Sequence, residues 1–296
     1  MQDNSTKSEE TLPEKIGFPS GTLYERPIRL DVLAAQKGVF VAIDKPADVL
    51  LDSYLSAPQI PLKKSDFVEP QLASIVVAMR KQLGKAEYER IGLDSPYAAS
   101  QCDFENSGVA IVALNKDVSA TFRNAVWSGA FKFEYTFLAR KNTLLGDSIV
   151  ADLPIVKNEN RNAWTVSHRF GRKSKTEFTL IETAGDFQLW KATAETIRPH
   201  QVRLHAAEKG FKIIGENLYS RGGQVFLSQI KGNFKLKKSD EFERPIYPHL
   251  FLHLNKITFD AAKLDMPELN VVEIESPLPK NFAICLKKLK FKLDAQ

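Results

Sequence analysis

Cysteine is nearly absent: Cys102 and Cys285 are the only two in 296 residues, so the chain carries no disulfide framework and no paired-cysteine zinc spacing. A reducing compartment follows, and a cytoplasmic location is expected. Long apolar runs are missing as well. The stretch from Ala73 to Met79, itself interrupted by Ser74, falls far short of the ~20 residues that a membrane span needs. A soluble protein without membrane contact is expected. The first sixteen residues, MQDNSTKSEETLPEKI, hold Asp3, Glu9, Glu10 and Glu14 and no apolar core, unlike a signal peptide or an Arg-rich transit peptide. They read as a mobile tail, and the chain divides into a flexible segment over 1–18 and one folded domain over 19–296. No internal repeat or low-complexity segment is visible.

What is present is ordinary for a globular chain: 43% apolar residues, 26% charged, with 41 basic against 36 acidic residues giving a net charge of +5. That balance permits an anionic partner without demanding one. Clustering says more. Lys157, Arg161, Arg169, Arg172, Lys173 and Lys175 face only Glu159 in their stretch, and Lys280 to Lys292 holds five lysines and no acid. Each run is either a solvated face or an RNA contact, and charge alone does not choose between them.

Period and punctuation outline the elements. Gly38 to Ile43 reads as a buried strand that stops at the Asp44-Lys45-Pro46 turn. Leu72, Ile75, Val76, Met79 and Leu83 form a helical stripe closed by Gly84. Val109 to Leu114 suits a central strand; Val118, Phe122, Ala125 and Val126 then give a helix with Asp117 as N-cap and Gly129 as its stop. Phe131, Phe133, Tyr135 and Phe137 alternate with Lys132, Glu134, Thr136 and Leu138, the clearest period-two signal in the chain. Thr176 to Thr183 and Phe187 to Thr196 read as a hairpin around Ala184-Gly185-Asp186. Arg198-Pro199-His200 is expected to start a helix that Gly210 ends, and Leu250 to Phe259 is a further strand. Strands and helices follow no repeating order, so the expected class is α+β with a mainly antiparallel sheet.

Two polar clusters could carry chemistry. Ser100 to Gly108 (SQCDFENSG) lies directly before a buried strand, where Asp103 either holds a carboxylate at a cleft mouth or merely satisfies backbone amides in an Asx-turn. Arg198, His200, Gln201, Arg203 and His205 put five polar side chains into eight positions, able to grip phosphate or pair a buried acid. His200 and His205 are five apart and so do not share a helical face, and no acid stands at a ligand spacing; no metal is expected.

Together with the aromatic strand, these clusters resemble the RluA-like family of RNA pseudouridine synthases from about Val39 to Phe259. Asp44-Lys45-Pro46-Ala47-Asp48 is similar to the family's N-K-P-x-G turn. Gln101-Cys102-Asp103 with Asn106-Ser107-Gly108 is similar to H-R-L-D-x-x-T-S-G, and Phe133-Glu134-Tyr135 to K-x-Y. Arg198 to His205 tracks the family's R-T-H-Q-I-R-V-H, Asn217-Leu218-Tyr219 resembles D-P-L-Y, and Leu252-His253 the late L-H-A strand. The resemblance implies a pseudouridine synthase catalytic fold, a mixed and mainly antiparallel sheet in two lobes with a central cleft, over 19–296. It implies a monomer that needs no cofactor and acts on rRNA or tRNA in the cytoplasm. Asp103 would attack the sugar or base, Arg203 would keep it ionised at salt-bridge distance, and Tyr135 would stack on the target uracil in the same cleft. Gln101, Asn106, Arg198, His200, Gln201 and Leu252 would line the substrate site. From the charge clustering, the Lys157 to Lys175 stretch, with Arg169, Arg172 and Lys173, is the candidate phosphate-contact surface.

The chain also departs from the pattern. Ser100-Gln101-Cys102 replaces H-R-L, so the arginine that displaces the target nucleotide is missing; Asn106 stands for Thr, Phe133 for Lys, Ile197 for Gly, Pro199 for Thr and Asp48 for the turn glycine, a place Asp tolerates because it visits left-handed backbone. No S4-type module is expected before Val39. Two rival readings remain: an RNA-binding protein that kept the fold but is catalytically impaired, and a hydrolase pairing Asp103 with a second carboxylate, for which Glu105 is the nearby candidate.

Overall fold

Alternating burial builds most of the chain into strands. The computed structural model describes residues 12–52, 74–158, 163–236, 240–264, 266 and 271–292. Strands β1 (Lys15–Phe18), β2 (Ile28–Gln36) and β3 (Phe40–Lys45) lead to helices α1 (Ile75–Arg80) and α2 (Ala86–Ile91). Strands β4 (Tyr97–Ala98) and β5 (Ser107–Ala113) precede α3 (Lys116–Ala125). Then come β6 (Phe131–Arg140), β7 (Ser148–Asp152), β8 (Ile155–Asn158), β9 (Ala163–Val166), β10 (Lys175–Ala184) and β11 (Phe187–Ala194), followed by α4 (Gln201–Glu208). Strands β12 (Leu252–Asp260) and β13 (Val271–Glu275) and helix α5 (Lys280–Lys288) complete the order.

Eleven strands form one sheet in the order β1-β2-β3-β5-β12-β6-β11-β10-β7, with β13 on β12 and β4 on β5; β8 and β9 make a separate ribbon. The β5–β12 pairing is parallel and the other pairings between these strands are antiparallel. This is the expected α+β class with a mixed, mainly antiparallel sheet. Its two lobes are two cores on one continuous sheet that share β5. Val109, Ile111 and Ala113 feed the larger core, with Phe122, Phe131, Phe133, Tyr135 and Phe137, while Ala110, Val112 and Leu114 feed the smaller, with Ile43, Ile75 and Met79. A strand buried on both faces must be apolar at every position, which is why its sequence shows a run and not an alternation. A third cluster seats α5: Phe282, Cys285 and Leu286 pack on Tyr247 and Phe251, while Lys280, Lys287 and Lys288 face solvent. Burying Phe282 alone contributes on the order of 2–3 kcal/mol.

Gly108 marks where the two halves meet. Its φ is +117°, and a Cβ there would lie 2.2 Å from the Leu254 carbonyl oxygen of β12. Only glycine lets β12 close on the start of β5. The parallel register His253–Ser107 and Leu254–Gly108 follows, and it places the loop before β5 at the junction of the cores.

Four expectations need correction. The segment read as tail to residue 18 ends in β1, whose Ile16 and Phe18 are buried against β2, because alternating apolar residues there find a sheet edge; residues 1–11 lie outside the described residues. The stripe's Leu72 is also outside them, and α1 ends at Arg80, leaving Leu83 exposed. Asn115, not Asp117, caps α3, its side chain accepting from the Val118 N–H at 2.9 Å. Helix α4 begins at Gln201, after Pro199, because His200 adopts a left-handed φ of 59°. Asp48 is left-handed as expected, with φ 58°.

Candidate active site

The loop before β5 is held from beneath by a lysine. Lys45, 1% exposed, donates through Nζ to the carbonyls of Asn106 at 2.6 Å, Val49 at 2.9 Å, Pro46 at 3.0 Å and Phe104 at 3.2 Å. It ties the turn after β3 to the two residues flanking Glu105. Burial brings its pKa down to about 8, opposed by nearby charges including that of Asp103. Asp103 itself is half-buried, and its Oδ1 accepts the backbone N–H of His200 at 2.9 Å. The left-handed turn at His200 is what aims that N–H at the carboxylate, a strained geometry of the kind that functional sites retain. The His200 ring lies against Tyr219, Nδ1 to hydroxyl 2.7 Å, and that hydroxyl accepts the Trp164 N–H at 2.9 Å.

Arg203 is the buried cation of the site, but its partners are not the expected one. Glu216, fully buried, takes Nε at 2.6 Å and a terminal nitrogen at 3.0 Å, and the other terminal nitrogen sits 2.6 Å from Glu105 Oε2 in an ion contact that lacks hydrogen-bond alignment. The expected Asp103–Arg203 salt bridge is therefore corrected: two glutamates occupy the guanidinium fork, and Asp103 is felt by Arg203 only through space. Burial alone would lower the Arg203 pKa; the three carboxylates outweigh it and raise it. Burial would likewise raise Glu105, and Arg203 with His200 reverses that and holds it below the usual carboxylate range. Tyr135, 4% exposed on β6, has its phenol pushed well up by burial first and by the charge of Asp103 next, so the two belong to one site.

The remaining expected residues divide. Gln101 is half-buried in the loop beside Asp103, and Leu252 is buried on β12 opposite Phe137. Arg198 lies two residues from His200, and Arg169, Arg172 and Lys173 are exposed on the loop before β10. Gln201 is corrected: at 1% exposure its amide donates to the carbonyls of Lys175 and Thr196 and to the Thr176 hydroxyl and accepts from Arg198 N–H, so its polar groups are spent on positioning the strand ends. Asn106 is 2% exposed; its backbone carbonyl goes to Lys45, while its side-chain oxygen is buried without a hydrogen-bond partner among the described residues. Three participants escaped the sequence reading. Lys45 stood inside a matched turn without a role, Tyr219 inside another, and Glu216 stood one residue before the Asn217-Leu218-Tyr219 match. An acid next to a matched motif was the available signal.

Behind the loop a polar chain crosses the junction. Ser107 Oγ meets His253 Nδ1 at 2.9 Å, His253 Nε2 lies 3.1 Å from the Ser276 carbonyl, and the Ser276 hydroxyl donates to Asp44 at 2.8 Å. Burial brings the His253 pKa down to about 4, so the ring is neutral at pH 7. Because the unfolded chain takes up this proton first, the stabilisation is complete above pH 6.5 and is lost as pH falls toward 4. That gap corresponds to ~3 kcal/mol at 1.36 kcal/mol per pH unit. Asp44, raised by burial, works in the opposite sense at the acid end of this range. Denaturant titrations from pH 7 to pH 4 should show parent stability falling more steeply than that of His253→Gln; equal slopes would remove His253 as the cause.

The fold and site define an RNA pseudouridylate synthase domain, whose family model matches residues 39–208. The chain belongs to that family. An uncharacterized RNA pseudouridine synthase of Helicobacter pylori is 27% identical over 205 residues, 66% of this chain and 62% of that protein. The uncharacterized RNA pseudouridine synthase YlyB of Bacillus subtilis is 26% identical over 67% of this chain and 57% of its own length. The dual-specificity RNA pseudouridine synthase RluA of Escherichia coli O157:H7 is 29% identical over 44% of this chain and 61% of its own. The matches thus span about three fifths of each relative. In fold, human RNA pseudouridylate synthase domain containing 4 superposes with a TM-score of 0.60 at 16% identity, covering 89% of this chain and 94% of that one. Among the described residues no helix is long and apolar enough to cross a membrane.

Proposed function

We propose that the protein is an RNA pseudouridine synthase that isomerises uridine in a structured RNA, rRNA or tRNA, as a cytoplasmic monomer without cofactor or metal. The observation that carries this reading is the seat of Asp103: a half-buried carboxylate oriented by the His200 N–H, facing Tyr135 and bracketed by the charges of Lys45 and Arg203. Asp103 attacks ribose C1′ as its bond to uracil N1 breaks; the base turns, C5 bonds to C1′ as the C1′–Asp103 bond breaks and the carboxylate is released, and the C5 proton leaves while N1, left with the electron pair of the broken bond, gains one. Tyr135 packs on the base, its raised pKa keeping the phenol neutral. Arg203, pinned by Glu216 and Glu105, supplies a fixed field more than a direct pair. Arg169, Arg172 and Lys173 meet phosphate.

The second reading, a protein that binds RNA without modifying it, draws on two observations. Gln101 brings no charge to the place of the displacing arginine, and no described carboxylate but the two glutamates pairs with Arg203. Glu105, committed to Arg203, is poorly placed as the free second carboxylate of a hydrolase. Mapping pseudouridine in total RNA from cells with and without the protein tests the proposal. One or a few sites should disappear with the protein; an unchanged map together with retained RNA binding would favour the second reading.

A further inference from the structure

Beside the reaction centre lies a surface that the chemistry at Asp103 does not use. Trp127, just past α3, is 50% exposed, and the Arg198 guanidinium lies 4.2 Å from the centre of its ring. Arg198 Nε is tied to the Lys173 carbonyl at 3.0 Å, which holds the guanidinium over the indole. The backbone of the neighbouring loop is held as well. Arg172 exchanges two backbone hydrogen bonds with Ile155 of β8, both 3.0 Å, and Gly171 passes so close to Pro154 and Ser167 that a Cβ there would lie 2.3 Å from the Ser167 carbonyl oxygen.

The lining of this groove is mainly basic. Arg172, Lys173 and Arg198 line it, and among the described residues no carboxylate lies within salt-bridge distance of any of the three. Asp152, the acid in the lining, acts on Lys175, which is already paired with Glu177 at 2.6 Å. Burial, and after it the like charge of Arg172, lowers the Arg198 pKa. Holding cations together without a counter-ion costs free energy that a bound anion returns. A second arginine–aromatic stack, Arg169 over Phe170 at 5.0 Å, stands exposed on the same loop. A tied guanidinium and two neighbouring cations beside a half-exposed indole match the two chemical parts of a nucleotide, a phosphate and a base face.

We infer that the Trp127–Arg198 stack with Arg172 and Lys173 is a nucleotide subsite, taking an unpaired base of the RNA strand on the indole and its phosphate between the two guanidinium groups. The inference rests on the RNA-modifying reading and adds to it where a strand runs outside the catalytic pocket. The path is short: two residues, at most about 7 Å of chain, separate Arg198 from His200, whose N–H holds Asp103. An RNA whose target uridine is flanked by a nucleotide free to stack is then preferred over one buried in continuous duplex. The surface also offers the chain a hold on RNA that owes nothing to the missing arginine at Gln101.

The test uses the full chain and a short single-stranded oligouridylate, together with a set in which one position at a time is abasic. Trp127→Ala should weaken binding by roughly 5-fold to 150-fold, the range for losing one base–aromatic stack, with the salt dependence unchanged. Trp127→Phe should restore most of the affinity. At one abasic position Trp127→Ala should cost nothing further, because the base it stacks on is already gone. Arg172→Gln with Lys173→Gln should flatten the plot of log affinity against log salt by about 0.7, the value for the one phosphate held there. Parent affinity in Trp127→Ala, or equal losses at every abasic position, overturns the subsite. Poly-glutamate that competes fully and is insensitive to Trp127→Ala overturns it in favour of an acidic protein partner. Pseudouridine mapping is independent of these readouts, so a chain that binds as described yet modifies nothing would sink the catalytic proposal and leave the subsite standing.

Discussion

An Asp103→Asn protein is expected to fold, to bind RNA with parent affinity and to form no pseudouridine. The substituted amide still presents an oxygen to the His200 N–H, so the 2.9 Å bond that orients this side chain persists. What disappears is the negative charge, and with it the nucleophile. Removal of an attacking side chain costs enzymes roughly 10⁴-fold or more, because no other group can form the covalent bond. Glu105 is the nearest substitute in the sequence, but Arg203 holds it. Stability should stay near that of the parent or fall slightly: the His200 hydrogen bond is kept, while an anion that interacts favourably with the buried cations Arg203 and Lys45 is lost. A near-parent melting temperature beside absent product separates loss of the nucleophile from loss of the fold. Product formation by Asp103→Asn at even a hundredth of the parent rate would remove Asp103 from the nucleophile's role, whatever the family.

Asp103 and Tyr135 were singled out only through the family resemblance, because the loop alone left an Asx-turn open and the strand alone left one more core aromatic. Asp103 stands in a polar loop before a run of apolar residues, and Tyr135 stands on a strand whose alternation is unmistakable. Arg203 was legible as a buried cation but its partners were not, since Glu216 and Glu105 reach it only after α4 and the loop before β5 fold against one another. Which acid wins a guanidinium fork is a question of distance, and spacing in sequence does not contain it. Gln201 misled for a related reason: polar side chains at helix starts usually meet solvent or ligand, and here the helix start is buried under the ends of β10 and β11. Lys45 was hidden by its chemistry. A lysine beside proline reads as a solvated turn, and only its four carbonyl contacts show that it organises the loop. Helix α4 started late because the His200 backbone is bent toward Asp103, a local departure of the kind expected at a functional site.

Arg203→Met should be among the most destabilising single substitutions in the chain. The arginine side chain is 3% exposed and its Glu216 partner 0%, so removing the cation leaves a carboxylate sealed from water with only the N–H groups of Leu218 at 2.7 Å and Tyr219 at 3.3 Å to compensate it. Breaking a buried pair from one side costs about 3–5 kcal/mol, more than the intact pair contributes over an apolar replacement. Arg203→Lys should fall between, because an ammonium keeps the charge but cannot bridge both oxygens. The diagnostic variant is the double one. Arg203→Met with Glu216→Gln removes the stranded charge and should recover part of the loss, giving a non-additive cycle, whereas two independent sites would add. Catalysis should not recover with it. The Tyr219 ring stacks on Arg203 at 5.5 Å and its hydroxyl holds the His200 ring, so the double variant regains stability without regaining the scaffold that aims the His200 N–H at Asp103. Denaturant midpoints of the four proteins, read beside their product yields, separate these two consequences. Parent-like stability of Arg203→Met would mean that Glu216 has found water or a proton, and that the buried ion pair is not what holds α4 to the Glu216–Tyr219 segment.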